Sequence, residues 1–285
     1  MSILQEYHPK AFNKKKVVVE RFSSASEVLM VSNTRSRTSS SFKDYRKQVA
    51  EEPDWYGASS WDEVEDLMAH GYSPYVKKLN SKLNFKGKGE GKRISFRNDV
   101  VGYAPVVPLA MMGVPNSMVN SYLKPMKNKV VSIYYDKTAN AGITAWQIEE
   151  AGLKLLSVLI DLEMQGYRFN LYVTESHAEN GACDMLAVKV KDSTSPFDMQ
   201  RLSFPIGHPA FFRGIGFDWY SRCPKATYRW GLGHALNHDW DDKHITDAFN
   251  EIFNEKCVVF QCEKLINDSE QHIADVITSA NATLK

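Results

Sequence analysis

One long amphipathic helix between two strands constrains this chain more than any other feature. Lys129 to Tyr135, "KVVSIYY", reads as a strand, and a polar turn "DKTANAG" leads into "ITAWQIEEAGLKLLSVLIDLEMQGY". Thr144 and Gln147 form a capping box at the helix start. Ile148, Ala151, Gly152, Leu155, Leu156, Leu159 and Leu162 then recur at helical spacing up to Gly166, a natural stop. "YRFNLYVTES" reads as the next strand, and "DMLAVKVKDS" alternates as a third beyond the polar loop "HAENGAC". Strand, helix, strand implies a right-handed crossover and a parallel pair, with the second and third strands as an antiparallel edge hairpin.

"KCVVFQC" reads as one more buried strand, and "DSEQHIADVITSANATL" as a closing helix capped by Asp268. The expected fold is therefore α/β with a mostly parallel, doubly wound sheet over residues 126–285. Residues 1–125 read as an N-terminal α+β extension. It opens with a short strand and a Ser-capped helix in "VVVERFSSASEVLMV" and continues to an acidic helix in "WYGASSWDEVEDLMAHGY". Ser60 and Glu63 form that helix's capping box and Gly71 its end. Pro105, Pro108, Pro115 and Pro125 exclude a long helix near the end of the extension, which reads as a linker packed on the core.

Charge is unevenly divided: residues 1–100 hold 18 Lys and Arg against 13 Asp and Glu, and the remainder is net acidic. An anionic partner is expected to meet the N-terminal third first. The run "KKLNSKLNFKGKGEGKRISFR" concentrates this charge, with Phe85 and Phe96 among Lys82, Lys86, Lys88, Lys92, Arg93 and Arg97. Cations that neutralise phosphates beside rings that stack on bases are the two ingredients of single-strand binding. The run is also compatible with a solvated loop whose charge is absorbed by the acidic helix before it.

Asp136, Thr138 and Asn140 lie where the first core strand gives way to the crossover, the usual ligand position of open α/β sheets. The D-x-T-x-N spacing brings three hard oxygens to one loop, which suits Mg²⁺ or Ca²⁺, or else simply caps the helix. Strand, D-x-T-x-N loop, long helix, strand and hairpin together resemble the von Willebrand factor A domain, whose DxSxS loop begins a metal-dependent adhesion site. Asn140 stands in place of the usual Ser, and "VVFQCEKL" has Glu263 where that family carries a later Asp-Gly turn. A second metal candidate is "GHALNHDWDDKH", in which His234 and His238 would share a helix face beside Asp239.

The layout of "VVVERFSSASEVL", "WYGASSWDEVEDLMAHGY", the long helix with its strand, and "SFPIGHPAFFRGIGF" also resembles an uncharacterised family encoded by tailed phages and mobile elements. That resemblance implies a degenerate von Willebrand A core and action in the host cytoplasm. Cys183, Cys223, Cys257 and Cys262 form no CxxC pair, in keeping with a reducing compartment. No apolar run precedes the first charges, and no segment is long and apolar enough to span a bilayer, so a soluble cytoplasmic protein is expected.

The chain lacks GxxxxGK[ST], GxSxG and a strand-following GxGxxG, which removes the simplest nucleotide and hydrolase readings. The first expectation is a non-enzymatic phage protein, without a cofactor, that binds single-stranded nucleic acid during transcription, replication or host takeover. A second is a protein-interaction module working through the top of the core sheet around Asp136 and Trp219. A third is a metal-dependent hydrolase at the His and Asp cluster.

Overall fold

The computed structural model describes residues 2–82, 92–125, 129–164, 166–179, 182–226 and 232–283. Nine strands form two sheets among these residues. Six, β1 (Ile3–Tyr7), β2 (Val17–Phe22), β6 (Lys129–Asp136), β7 (Tyr167–Glu179), β8 (Ala182–Lys191) and β9 (Cys257–Gln261), make one sheet in the order β1-β2-β8-β7-β6-β9. The other three, β3 (Lys92–Asp99), β4 (Ala104–Pro105) and β5 (Met118–Pro125), make a separate antiparallel sheet in the order β3-β5-β4.

The crossover forms as its periodicity predicts. Thr144 accepts from the Gln147 amide at 3.3 Å while Gln147 Oε1 accepts from the Thr144 amide at 2.9 Å, so the capping box closes in both directions. The helix Ala145–Met164 follows, and Gly166 ends the turn at φ 90°. Its buried face runs through Ile148, Ala151, Gly152, Leu155, Leu156 and Leu159, and it delivers the chain to β7, parallel to β6.

Three expectations require correction. The β7–β8 hairpin is antiparallel but lies inside the sheet, because β2 pairs in parallel along the far side of β8. The sheet is accordingly mixed: β2–β8, β7–β6 and β6–β9 are parallel, and β1–β2 and β8–β7 antiparallel. The boundary expected at residue 125 does not divide the sheet, since β1 and β2 complete it; "VVVERF" is buried at five of six positions and fits only an interior strand. The expected linker is instead β4, β5 and the short helix Val107–Met111, because Pro105 and Pro125 fall at strand ends, Pro108 at a helix start and Pro115 in the bend before β5, where no amide donor is needed.

The sheet is covered on both faces. Val131, Ile133, Tyr135, Phe169, Leu171 and Val173 pack under the long helix and the helices spanning residues 199–222. On the other face Tyr134 stacks on Tyr172 at 4.7 Å and on Phe253 at 4.3 Å, beneath the helix Asp242–Phe253. The aromatic segment around Trp219 is core, as its composition suggests, but it is helical. Trp219 is fully buried and donates to buried Glu20 at 2.8 Å, so it is not available as an interaction surface.

Close helix packing depends on Gly152. A Cβ there would lie 2.6 Å from Tyr75 Oη, 2.7 Å from the Ile206 carbonyl and 2.8 Å from Gly207 Cα, whereas one at Gly142 would meet nothing within 4 Å. Gly152→Ala is expected to lower unfolding free energy by about 1–3 kcal/mol, and Gly142→Ala to change it by less than about 0.5 kcal/mol, in urea titrations.

Candidate functional site

At the carboxyl ends of β6, β7 and β9 the chain buries an unusual number of polar groups. Asp136, Lys137, Thr138, Thr174, Glu175, Ser176 and Glu263 are all at most 5% exposed. Asp136 Oδ1 accepts from the Thr138 hydroxyl at 2.8 Å and its amide at 3.3 Å, and Oδ2 accepts from Ser176 at 3.2 Å. Thr138 Oγ1 in turn accepts the Ser176 amide at 2.6 Å, tying the loop to β7. Asn140 turns its side-chain oxygen back to the Gly142 amide at 3.3 Å. In this arrangement Asp136 is bound by Thr138 and Ser176, and the Asn140 oxygen by the Gly142 amide. Among the described residues, no group of three or more His, Cys, Asp or Glu side chains is placed to hold a metal ion.

The two metal candidates meet at Glu263. Its Oε1 accepts the Asn140 amide at 2.7 Å, while Oε2 accepts from Asn237 Nδ2 at 3.1 Å and lies 2.7 Å from His238 Nε2. This carboxylate clamps the crossover loop to the segment that carries the histidines. His234 and His238 do not share an α-helical face, because only a 3-10 turn, Leu236–His238, forms there. Their rings still approach to 4.8 Å, and His234 Nε2 is 3.6 Å from Asp239 Oδ1. Gly231 and Gly233 on the N-terminal side, with Asp241 capping the next helix, leave too few residues for a longer helix.

Lys137 and Glu175 carry no signal in the sequence beyond a charge beside an apolar strand. Lys137 is fully buried and donates to the carbonyls of Pro205 at 3.0 Å and His208 at 2.6 Å. Pro209 has no amide hydrogen to give the Pro205 carbonyl, and the ammonium takes that place. Glu175, also fully buried, has no hydrogen-bond partner on either oxygen among the described residues. Burial moves the two groups toward neutrality: Lys137 falls to about 7 and Glu175 rises well above the carboxylate range, opposed by their mutual attraction. The Asp136 carboxyl is raised to about 7, again by burial, against the hydrogen bonds from Thr138 and Ser176.

The basic run lies elsewhere. Lys82 is the last residue of the helix Ser73–Lys82, Lys92 and Arg93 open β3, and Phe85, Lys86 and Lys88 fall outside the described residues. Lys78 pairs with Glu150 of the long helix, and Arg97 with Asp99 at 2.8 Å. The register sets Arg93 opposite Lys124, Ser95 opposite Tyr122 and Arg97 opposite Asn120, so one strand face holds positions 93, 95, 97, 120, 122 and 124. On that face the Arg97 guanidinium sits 5.3 Å from the Tyr122 ring centre. On the opposite face Phe96, 63% exposed, lies edge-on to Tyr103 at 6.5 Å. Sequence reasoning does not single out Tyr103 or Tyr122; the alternation in "MVNSYLKP" is the signal that could have found the strand, masked by its prolines.

These features define an α/β protein with a buried polar layer at the carboxyl end of its sheet and a basic, aromatic β-arm. The chain belongs to a family described as a domain of unknown function (DUF7192), whose model matches residues 5–271. No curated protein and no solved structure matches it.

Asp136 gives this network a pH signature. Its folded-state value lies above the unfolded one, so the folded protein retains a proton between about pH 4 and 7, and stability from this group falls as pH rises through that window. Asp136→Asn removes the effect. Relative to wild type the variant is expected to gain stability across that range by up to about 1.4 kcal/mol per pH unit, read from urea unfolding at each pH. Parallel wild-type and variant curves would contradict the assignment.

Proposed function

We propose that this is a non-enzymatic protein that binds single-stranded nucleic acid on the three-stranded β3-β5-β4 sheet. The observation that carries the reading is the arm itself, where Arg97 over Tyr122 joins a cation and a ring on one exposed strand face. Phe96 is 63% exposed and lies edge-on to Tyr103. Bases stack on such rings with little sequence preference, and Lys92, Arg93 and Arg97 bring positive charge for the backbone. The preceding Lys82, Phe85, Lys86 and Lys88 extend the same basic, aromatic composition. No DNA-reading helix is recognisable in the sequence, which favours single strands over duplex.

The likeness to a von Willebrand A core is supported by the order β6, D-x-T-x-N loop, long helix, β7 and antiparallel β8. The resemblance to a phage-encoded family is what favours a role in transcription, replication or takeover within a host cytoplasm as the setting for this reading. Among the described residues no helix is long and apolar enough to cross a membrane.

A second reading, a protein-interaction module, draws on a specific feature of the same arm. Val101, Met111 and Met112 are 73%, 84% and 76% exposed, apolar side chains of the kind that a protein partner covers. This moves the expected interface from the buried Asp136 region to the arm.

Fluorescence anisotropy with labelled oligo(dT) and a duplex at two salt concentrations separates the readings. Wild type is expected to prefer the single strand and to weaken with salt. Tyr122→Ala is expected to lower affinity by about 5- to 100-fold, the range for removing the ring beneath one stacked base. Arg97→Glu is expected to reduce the salt slope by about 0.7 for each phosphate it no longer neutralises. Absence of binding, or binding unchanged in both variants, would overturn the nucleic-acid reading and leave the apolar surface as the functional one.

A further inference from the structure

The outer edge of β9 holds an unused donor between two used ones. β9 ends the six-stranded sheet and pairs with β6 on one side only. Along a strand, successive amides point to opposite edges, so residues two apart point the same way. The Cys257 amide donates to Asn250 Oδ1 at 2.8 Å, and the Gln261 amide donates to His272 Nε2 at 3.1 Å. Both caps come from helices and not from β6, which makes 257 and 261 outward-facing. Val259 lies midway, and its amide faces the same edge with no cap among the described residues.

That edge opens into a cavity of about 300 Å³ between the helices Asp242–Phe253 and Ser269–Thr283, with Val258, Val259 and Val276 among its lining. His272 lines it as well and is 4% exposed. Because Nε2 accepts from the Gln261 amide, the proton of the neutral ring resides on Nδ1. Nδ1 has no hydrogen-bond partner among the described residues, and Asp242 Oδ2 is 3.9 Å away. A buried donor left unpaired is costly, so both the ring and the Val259 amide call for an acceptor inside the cavity.

We propose that this groove docks an extended, cationic peptide strand from a protein partner, which adds to β9 at Val259. A peptide carbonyl accepts from the Val259 amide, and a neighbouring carbonyl of the same strand accepts from His272 Nδ1. Backbone pairing of this kind supplies affinity, and flanking side chains supply selectivity. The rim sets the charge: Asp242, Asp247 and Asp275 line the groove against Lys243, and Lys264 pairs with Asp242, which leaves a net negative rim. A free anion would meet the same donors but an unfavourable field. The inference stands independently of the nucleic-acid reading, because it concerns the opposite end of the core sheet from β1 and no residue of the arm.

The probes are fluorescein-labelled Lys-Val-Lys-Val, its Glu-Val-Glu-Val counterpart, and Lys-Val-Lys-Val with N-methylated valines. Wild type is expected to bind the first and to discriminate against the other two by about tenfold or more, the scale of one or two missing hydrogen bonds or a repelled charge. Val259→Pro removes the outward amide at an edge strand, which accommodates proline, but also replaces a buried side chain; it is expected to lose about tenfold in affinity, against Val259→Ala, which keeps the amide and is expected to bind as wild type does. Asp247→Lys with Asp275→Lys is expected to abolish the preference for the cationic peptide. Hydrogen exchange of the Val259 amide in wild type gives a second readout that needs no variant: slower exchange on adding Lys-Val-Lys-Val supports strand addition. Unchanged exchange, absence of binding, or equal binding by a folded Val259→Pro variant would overturn it.

Discussion

The Lys137 ammonium joins the sheet to the helices that cover it. It stands one residue beyond β6 and reaches the two carbonyls left available by the break at His208 and Pro209. Its hydrogen bonds offset part of the desolvation of a fully buried amine, and Cys262 and Glu175 oppose the fall in its pKa. Glu175 in turn dictates what passes above it: a Cβ on Gly216 would lie 1.2 Å from Glu175 Oε2. The π-helical stretch Phe211–Gly216 brings this glycine onto the carboxylate, and the following turn places Trp219 on Glu20. Sheet, proline break and glycine therefore specify one path for residues 199–222.

The same buried polar layer explains why the sheet's carboxyl end is a closed structure. Asp136 is bound by Thr138 and Ser176, and Glu263 binds the crossover loop and the His238 segment together. Each carboxylate is held by donors from different parts of the chain, so moving any one loop would leave a buried acceptor unpaired. The molecule instead presents its unsatisfied surface at two remote places. One is the β3-β5-β4 arm, with rings and cations in solvent; the other is the free edge of β9, where two of three outward amides are capped.

Local pattern carried much of the fold because its period is set by local geometry. The helix Ala145–Met164, the strands β6, β7, β8 and β9, and the Ser60 and Thr144 caps follow from spacing within a few residues. Glu63 shows the limit of that reasoning: its carboxylate reaches Ser59 at 2.7 Å and not Ser60, a choice made by the chain's entry angle. Of the candidate site, Asp136, Thr138, Arg97 and Phe96 were visible as residue types at the ends or faces of expected elements. Tyr122 and Tyr103 were not, because the prolines around them concealed a strand.

The sequence by itself determined an α/β core, a strand-helix-strand unit with a parallel pair and a basic N-terminal run, since these depend on periodicity, caps and composition. Only the tertiary structure decided that β2 lies against β8 and moves the hairpin inside the sheet, because strand partners far apart in the chain are chosen by packing both faces at once. It also decided that Glu263 serves two segments, that Lys137 replaces an amide missing at Pro209, and that Val259 keeps a free outward donor. The first two are hydrogen-bond pairings between distant residues, and the third is a donor that takes no such partner among the described residues. A linear pattern records which groups need partners, and the folded chain alone records which partners they find.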